Sequence, residues 1–103
     1  MEPISAIDFL NRLNSGEELN LLDVREDLEY ITYNIGGRNI PLNKLSAVLN
    51  ELGYNKNDEI IVICTMGLRS ESARLLLKEN GYTNVHNLAG GLIALHKIHQ
   101  KTY

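Results

Sequence analysis

Ile60-Ile61-Val62-Ile63 puts four β-branched aliphatic residues in a row, and the chain then runs straight into Cys64-Thr65-Met66-Gly67-Leu68-Arg69-Ser70. β-branched side chains are stiff at χ1 and pack well on a pleated surface. Successive strand residues point to opposite faces, so a strand that is apolar at every position needs cover on both sides. That is the condition of a parallel sheet held between two helical layers. A chain built around this segment is therefore restricted to α/β architectures with helices on both faces.

The flanking segments agree with that restriction. Ser5 to Leu13 places Ile7, Phe9, Leu10 and Leu13 at roughly helical spacing, with Ser5 and Asp8 in capping-box positions and Gly16 as a stop. Leu21-Leu22-Asp23-Val24 is a short apolar run expected as a buried strand. Glu26 to Tyr33 starts acidic and predicts a short helix broken by Gly36-Gly37, and Asn39-Ile40-Pro41-Leu42 predicts a short strand ending at the proline. Asn43 to Leu52 carries Leu45, Val48, Leu49 and Leu52 on one face before Gly53, a helical pattern. Ser70 to Asn80 is the best helix, with Ala73, Leu76 and Leu77 inward and Gly81 beyond the end. Val85 to Leu88 reads as a further strand and Leu92 to Ile98 as a last helix. Strand and helix alternate throughout, which predicts a mainly parallel sheet with helices on both faces.

With 103 residues the chain fits one domain, residues 1–103, with no repeat or linker. The net charge is −3 and the ten basic residues are scattered, so a nucleic-acid surface, which needs clustered Lys and Arg, is not expected. No apolar run is long enough for a membrane span. The opening MEPISAIDFLNRLN lacks a basic segment leading into an apolar one, so no signal peptide is expected. One cysteine permits no internal disulfide, which suits a reducing, cytoplasmic setting.

The chemistry is concentrated at Cys64. In a parallel sheet, ligands bind beyond the carboxyl ends of strands, where strand passes into helix. A cysteine there faces unpaired backbone N–H groups in the first helical turn. Those donors and the helix dipole favour an anion, and a thiolate is one. A free thiol titrates near about 8.5, and helix N-termini lower that value. Gly67 lets the loop curl into a nest of N–H groups, and Arg69 adds positive charge at its end. On position alone the competing reading is a buried small hydrophobe closing a strand.

Leu22-Asp23-Val24-Arg25-Glu26, Asn39-Ile40-Pro41-Leu42, the Cys64–Ser70 loop, Gly81-Tyr82-Thr83-Asn84-Val85 and Leu88-Ala89-Gly90-Gly91 together resemble the rhodanese homology domain, in its order and at its spacings. The resemblance covers about Asn20 to Leu95. Asn34 stands where the family often has His, and Leu95 where it often has Trp. The resemblance implies a rhodanese-like three-layer α/β/α fold with a five-stranded parallel sheet, and a sulfurtransferase with a persulfide on Cys64. It implies no metal and no organic cofactor. A sulfur donor such as thiosulfate would load Cys64, and cyanide, a thiol or a protein would unload it. Thr65, Met66, Gly67, Leu68, Arg69 and Ser70 would form the substrate loop. Asp23 and Arg25 would support it, Arg69 would bind an anionic donor or brace the loop through an acidic partner, and Ser70 would cap the next helix. Apolar Met66 and Leu68 at the rim would favour a protein or thiol partner.

Two alternatives share the fold. A phosphatase or arsenate reductase would need a longer loop, with five residues between Cys and Arg, whereas four separate Cys64 from Arg69. A non-catalytic binding module would not need the cysteine. His86, His96 and His99 are dispersed and read as solvated, and Glu26-Asp27-Glu29 reads as the first turn of a helix. Gly90-Gly91 reads as a tight turn that would also bring backbone close to the loop.

Overall fold

The computed structural model describes residues 2–101, with the side chains of residues 99–101 outside the described part. Ten elements follow one another: α1 (Ala6–Asn14), β1 (Leu21–Asp23), α2 (Asp27–Thr32), β2 (Arg38–Asn39), α3 (Leu42–Leu45), a 3₁₀ helix (Ser46–Glu51), β3 (Ile60–Ile63), α4 (Leu68–Glu79), β4 (Val85–Asn87) and α5 (Gly91–Lys101). The strands form one parallel sheet in the order β2-β1-β3-β4.

β3 sits in the middle and is buried at all four positions. Its side chains alternate between two cores, as strand geometry requires. Ile60, Val62 and then Cys64 face a cluster with Leu22, Val24, Leu45, Ala73 and Leu77, beneath α3 and α4. Ile61 and Ile63 face the opposite cluster with Ala6, Phe9, Leu88, Leu92 and Leu95, beneath α1 and α5. The fold is therefore the expected α/β sandwich of three layers. Leu95, in the place where tryptophan is common, fills part of the second core.

Among the described residues the sheet has four strands rather than five. The extra pairing is reduced to one parallel bridge, Ile4 to Leu88, in which the Ile4 N–H donates to the Asn87 carbonyl at 3.0 Å and the Ala89 N–H to the Ile4 carbonyl at 2.9 Å. β2 is likewise shorter and earlier than the sequence suggests. Ile40 and Leu42 still donate to the carbonyls of Asp23 and Val24, but Pro41 between them cannot, and it opens α3. The 42–52 segment is α-helical only to Leu45 and then 3₁₀. Leu45/Val48 and Leu49/Leu52 are spaced by three, which satisfies either helix, and Ser46, Val48 and Asn50 are weak α-formers.

The Ser5 hydroxyl oxygen caps α1 by accepting from the Asp8 N–H at 3.1 Å. Asn34 holds the turn after α2: its amide donates to the Tyr30 carbonyl and its oxygen accepts from the Gly36 N–H.

Candidate active site

The loop of residues 64–67 joins the carboxyl end of β3 to α4. Gly67 is the residue before the helix and has φ +95°, in the left-handed region open to glycine. This conformation turns the Gly67 N–H back onto the Cys64 sulfur at 3.1 Å, and the Ser70 N–H arrives from the first turn at 3.3 Å. The Ser70 hydroxyl lies 3.2 Å from the same sulfur. Burial opposes ionisation of Cys64, but the Ser70 hydroxyl and the Ser70, Gly67 and Met66 N–H groups together outweigh it and bring the thiol below its ordinary value. Cys64 is 1% exposed, so its sulfur forms the floor of the loop rather than its rim.

Ser70 does not cap α4. The helix begins at Leu68, and the hydroxyl instead donates to Asn87 Oδ1 at 2.5 Å from a fully buried position beside the cysteine. Arg69 is held by an acidic partner. It forms a two-pronged pair with Glu29 of α2, at 2.6 and 3.0 Å, and reaches the Thr65 hydroxyl at 3.3 Å. The guanidinium hydrogen bonds are the largest influence on Glu29 and hold its carboxyl at about 2. Of the acidic run, Glu29 therefore grips the loop; its carboxylate also accepts from the Glu26 N–H at 3.0 Å.

Asp23 and Arg25 lie buried at the end of β1 in a second ion pair at 2.8 Å. Arg25 also donates to the Tyr33 carbonyl at 2.7 Å, tying β1 to the far end of α2. Asn39 binds the carbonyls of both residues. Asp23 and Arg25 thus hold α2, and α2 holds Arg69. Both guanidinium groups near the loop are already neutralised by carboxylates, and the groups facing the sulfur are backbone amides and the Ser70 hydroxyl.

Three contributors escaped the sequence reading. Asn87 on β4 donates to the Gly67 carbonyl at 3.0 Å and accepts from Ser70; β4 reads Val-His-Asn, so a polar residue there does not stand out in the sequence. Glu29 lies 40 residues before Arg69 in the chain and meets it only through the fold. The first N–H groups of α5, from Leu92 and Ile93, donate to the Cys64 and Thr65 carbonyls at 3.0 and 3.1 Å. Gly91 makes that approach feasible, because a Cβ there would lie 2.5 Å from both carbonyl oxygens.

Met66 and Leu68 are 60% and 74% exposed and frame the loop with apolar surface. Beside Thr65 runs a groove of about 430 Å³ lined by Tyr33, Leu92, Ile93 and His96 among others. His96 packs edge-on to Tyr33 at 5.4 Å between ring centroids; the side chain of His99 lies outside the described residues. His86 binds the Glu2 carbonyl through Nδ1 and sits 3.5 Å from Glu59, away from the loop. Among the described residues no three metal-ligating side chains cluster, and no helix is long and apolar enough to cross a membrane.

A parallel sheet whose central strand passes through a cysteine loop into the N-terminus of a helix places the chain among three-layer α/β proteins with their site at the carboxyl edge of the sheet. The chain belongs to the rhodanese-like domain family, whose profile matches residues 5–97. A putative sulfur carrier protein, YrkF of Bacillus subtilis, is 43% identical over 90 residues, covering 86% of this chain and 48% of that protein. The chain thus spans about half the length of that relative. The thiosulfate sulfurtransferase PspE of Escherichia coli is 39% identical over 80 residues, 75% of this chain and 76% of the other. The crystal structure of a rhodanese-like domain protein from Staphylococcus aureus superimposes with a TM-score of 0.81 at 29% identity, over 92% of this chain and 91% of that one.

Proposed function

We propose that the chain transfers sulfane sulfur through a persulfide on Cys64, taking it from a donor such as thiosulfate and passing it to a thiophilic acceptor. The observation that carries this reading is the pair of N–H groups, from Gly67 and Ser70, that converge on the Cys64 sulfur at 3.1 and 3.3 Å. They favour the thiolate that attacks and stabilise the sulfur anion that leaves. In the loading step the Cys64 thiolate attacks the outer sulfur of thiosulfate, the S–S bond of the donor breaks, and sulfite departs with the electron pair. In the second step an acceptor thiolate or cyanide attacks the terminal sulfur and returns Cys64 as a thiolate.

The neutral ring of donors suits a single sulfur atom. A phosphate-binding loop would call for five residues between Cys and Arg, and only four separate Cys64 from Arg69. The apolar rim of Met66 and Leu68 supports a protein thiol as the acceptor. A lone free thiol fits work in a reducing compartment such as the cytoplasm.

Steady-state kinetics test the reading. Varying donor and acceptor together should give the parallel double-reciprocal lines of a ping-pong scheme, and Cys64→Ser should lose turnover entirely. Intersecting lines, or activity surviving in Cys64→Ser, would remove Cys64 from the chemistry.

A further inference from the structure

Ser70 carries one hydroxyl proton, and two acceptors claim it. Asn87 Oδ1 lies 2.5 Å away and the Cys64 sulfur 3.2 Å away. The Asn87 amide cannot turn to relieve the conflict. Its nitrogen donates to the Gly67 carbonyl at 3.0 Å and toward the Glu71 carboxylate at 3.4 Å, and both of those are acceptors only. The amide oxygen is therefore fixed toward Ser70. With the proton on Asn87, Ser70 can only accept from a Cys64 S–H; with the proton on sulfur, Asn87 Oδ1 loses its donor.

We propose that Ser70 and Asn87 act as a rotor that follows negative charge on the Cys64 sulfur, with Asn87 as a positioning residue that holds the hydroxyl proton whenever that sulfur is neutral. The inference rests on the sulfur-transfer reading for its place in the cycle. In the resting thiolate the Ser70 O–H points to sulfur. Once a persulfide forms, the charge moves to the terminal sulfur and the O–H returns to Asn87. When the acceptor attacks, the Sγ–S bond breaks, its electron pair goes to Sγ, and the O–H swings back to the leaving thiolate. The charged groups around this cluster are Arg69 and Glu71 on α4, Glu29 on α2 and the Asp23–Arg25 pair at the end of β1. α5 meets the loop through the backbone N–H groups of Leu92 and Ile93.

A double-mutant cycle on the full, sulfur-free chain tests this, with Cys64 ionisation read from its rate of alkylation by iodoacetamide across pH. Ser70→Ala should raise the midpoint by about one pH unit, because the thiolate loses a donor. Asn87→Ala should lower it by roughly half a unit, because the hydroxyl is released to sulfur. In the Ser70→Ala background, Asn87→Ala should have no such effect. An equal shift in both backgrounds, an upward shift, or none would overturn the proposal and leave Asn87 as a loop brace. Should Asn87→Ala fail to fold, the unsubstituted protein answers the question: the Asn87 side-chain amide resonances should titrate with the Cys64 midpoint, and resonances unchanged across it would overturn the proposal. Alkylation needs no sulfur donor, so failure here is separate from failure of the sulfur-transfer reading.

Discussion

Gly91 sits where two carbonyl oxygens of the active loop come closest to another part of the chain, and a single methyl group there has nowhere to go. Gly91→Ala should therefore push α5 off the loop, cutting sulfur transfer at least about tenfold and lowering the melting temperature by several degrees. Retained transfer and an unchanged melt would show that the α5 contact does not hold the loop. Glu29 gives a prediction in pH. Its folded value of about 2 lies below its ordinary 4.5, so its contribution to stability is complete above about 4.5 and is lost as the pH falls toward 2. Glu59 and Glu71 are lowered in the same direction by Arg12 and Arg74. Thermal melts should show stability falling through this window, and Glu29→Gln should make the fall shallower. An identical profile in the variant would mean that the pair with Arg69 adds nothing, as holds for many exposed ion pairs.

The elements differ in how openly the sequence announces them. β3 and α4 were legible because their apolar patterns are long, and the loop between them because its chemistry is contiguous from Cys64 to Ser70. α1 was legible from Ser5 and its helical spacing. β2 was misplaced because Ile40 and Leu42 still donate to the Asp23 and Val24 carbonyls after the strand itself has ended at Asn39, and Pro41 leads into α3. The change from α3 to a 3₁₀ helix was hidden because a spacing of three fits both forms. Asn87 and Glu29 were illegible as site residues because β4 and α2 reach the loop only through the fold. Two substitutions measure the elements. Leu77→Ala, in the fully buried face of α4, should cost about 2–5 kcal/mol in urea denaturation. Ser5→Ala should cost about 1 kcal/mol in the same measurement, because it removes the cap of α1.

At the scale of the whole molecule, two cores clamp β3 and deliver one sulfur to the carboxyl edge of the sheet. Apolar surface extends beyond Met66 and Leu68 at the loop: α2 exposes Leu28 and Ile31, and Ile93 is exposed on α5. If this surface receives a protein acceptor, replacing Leu28 and Ile31 with serine should slow transfer to a protein thiol about tenfold and leave transfer to cyanide unchanged. Equal rates with both acceptors would exclude these residues from docking. The central claim itself concerns one covalent state and is best tested by weighing the intact protein after incubation with thiosulfate or a persulfide donor. The account predicts a gain of one sulfur atom, located on Cys64, removed by cyanide and missing in Cys64→Ser; a folded protein with an alkylatable Cys64 that never gains that atom would contradict it.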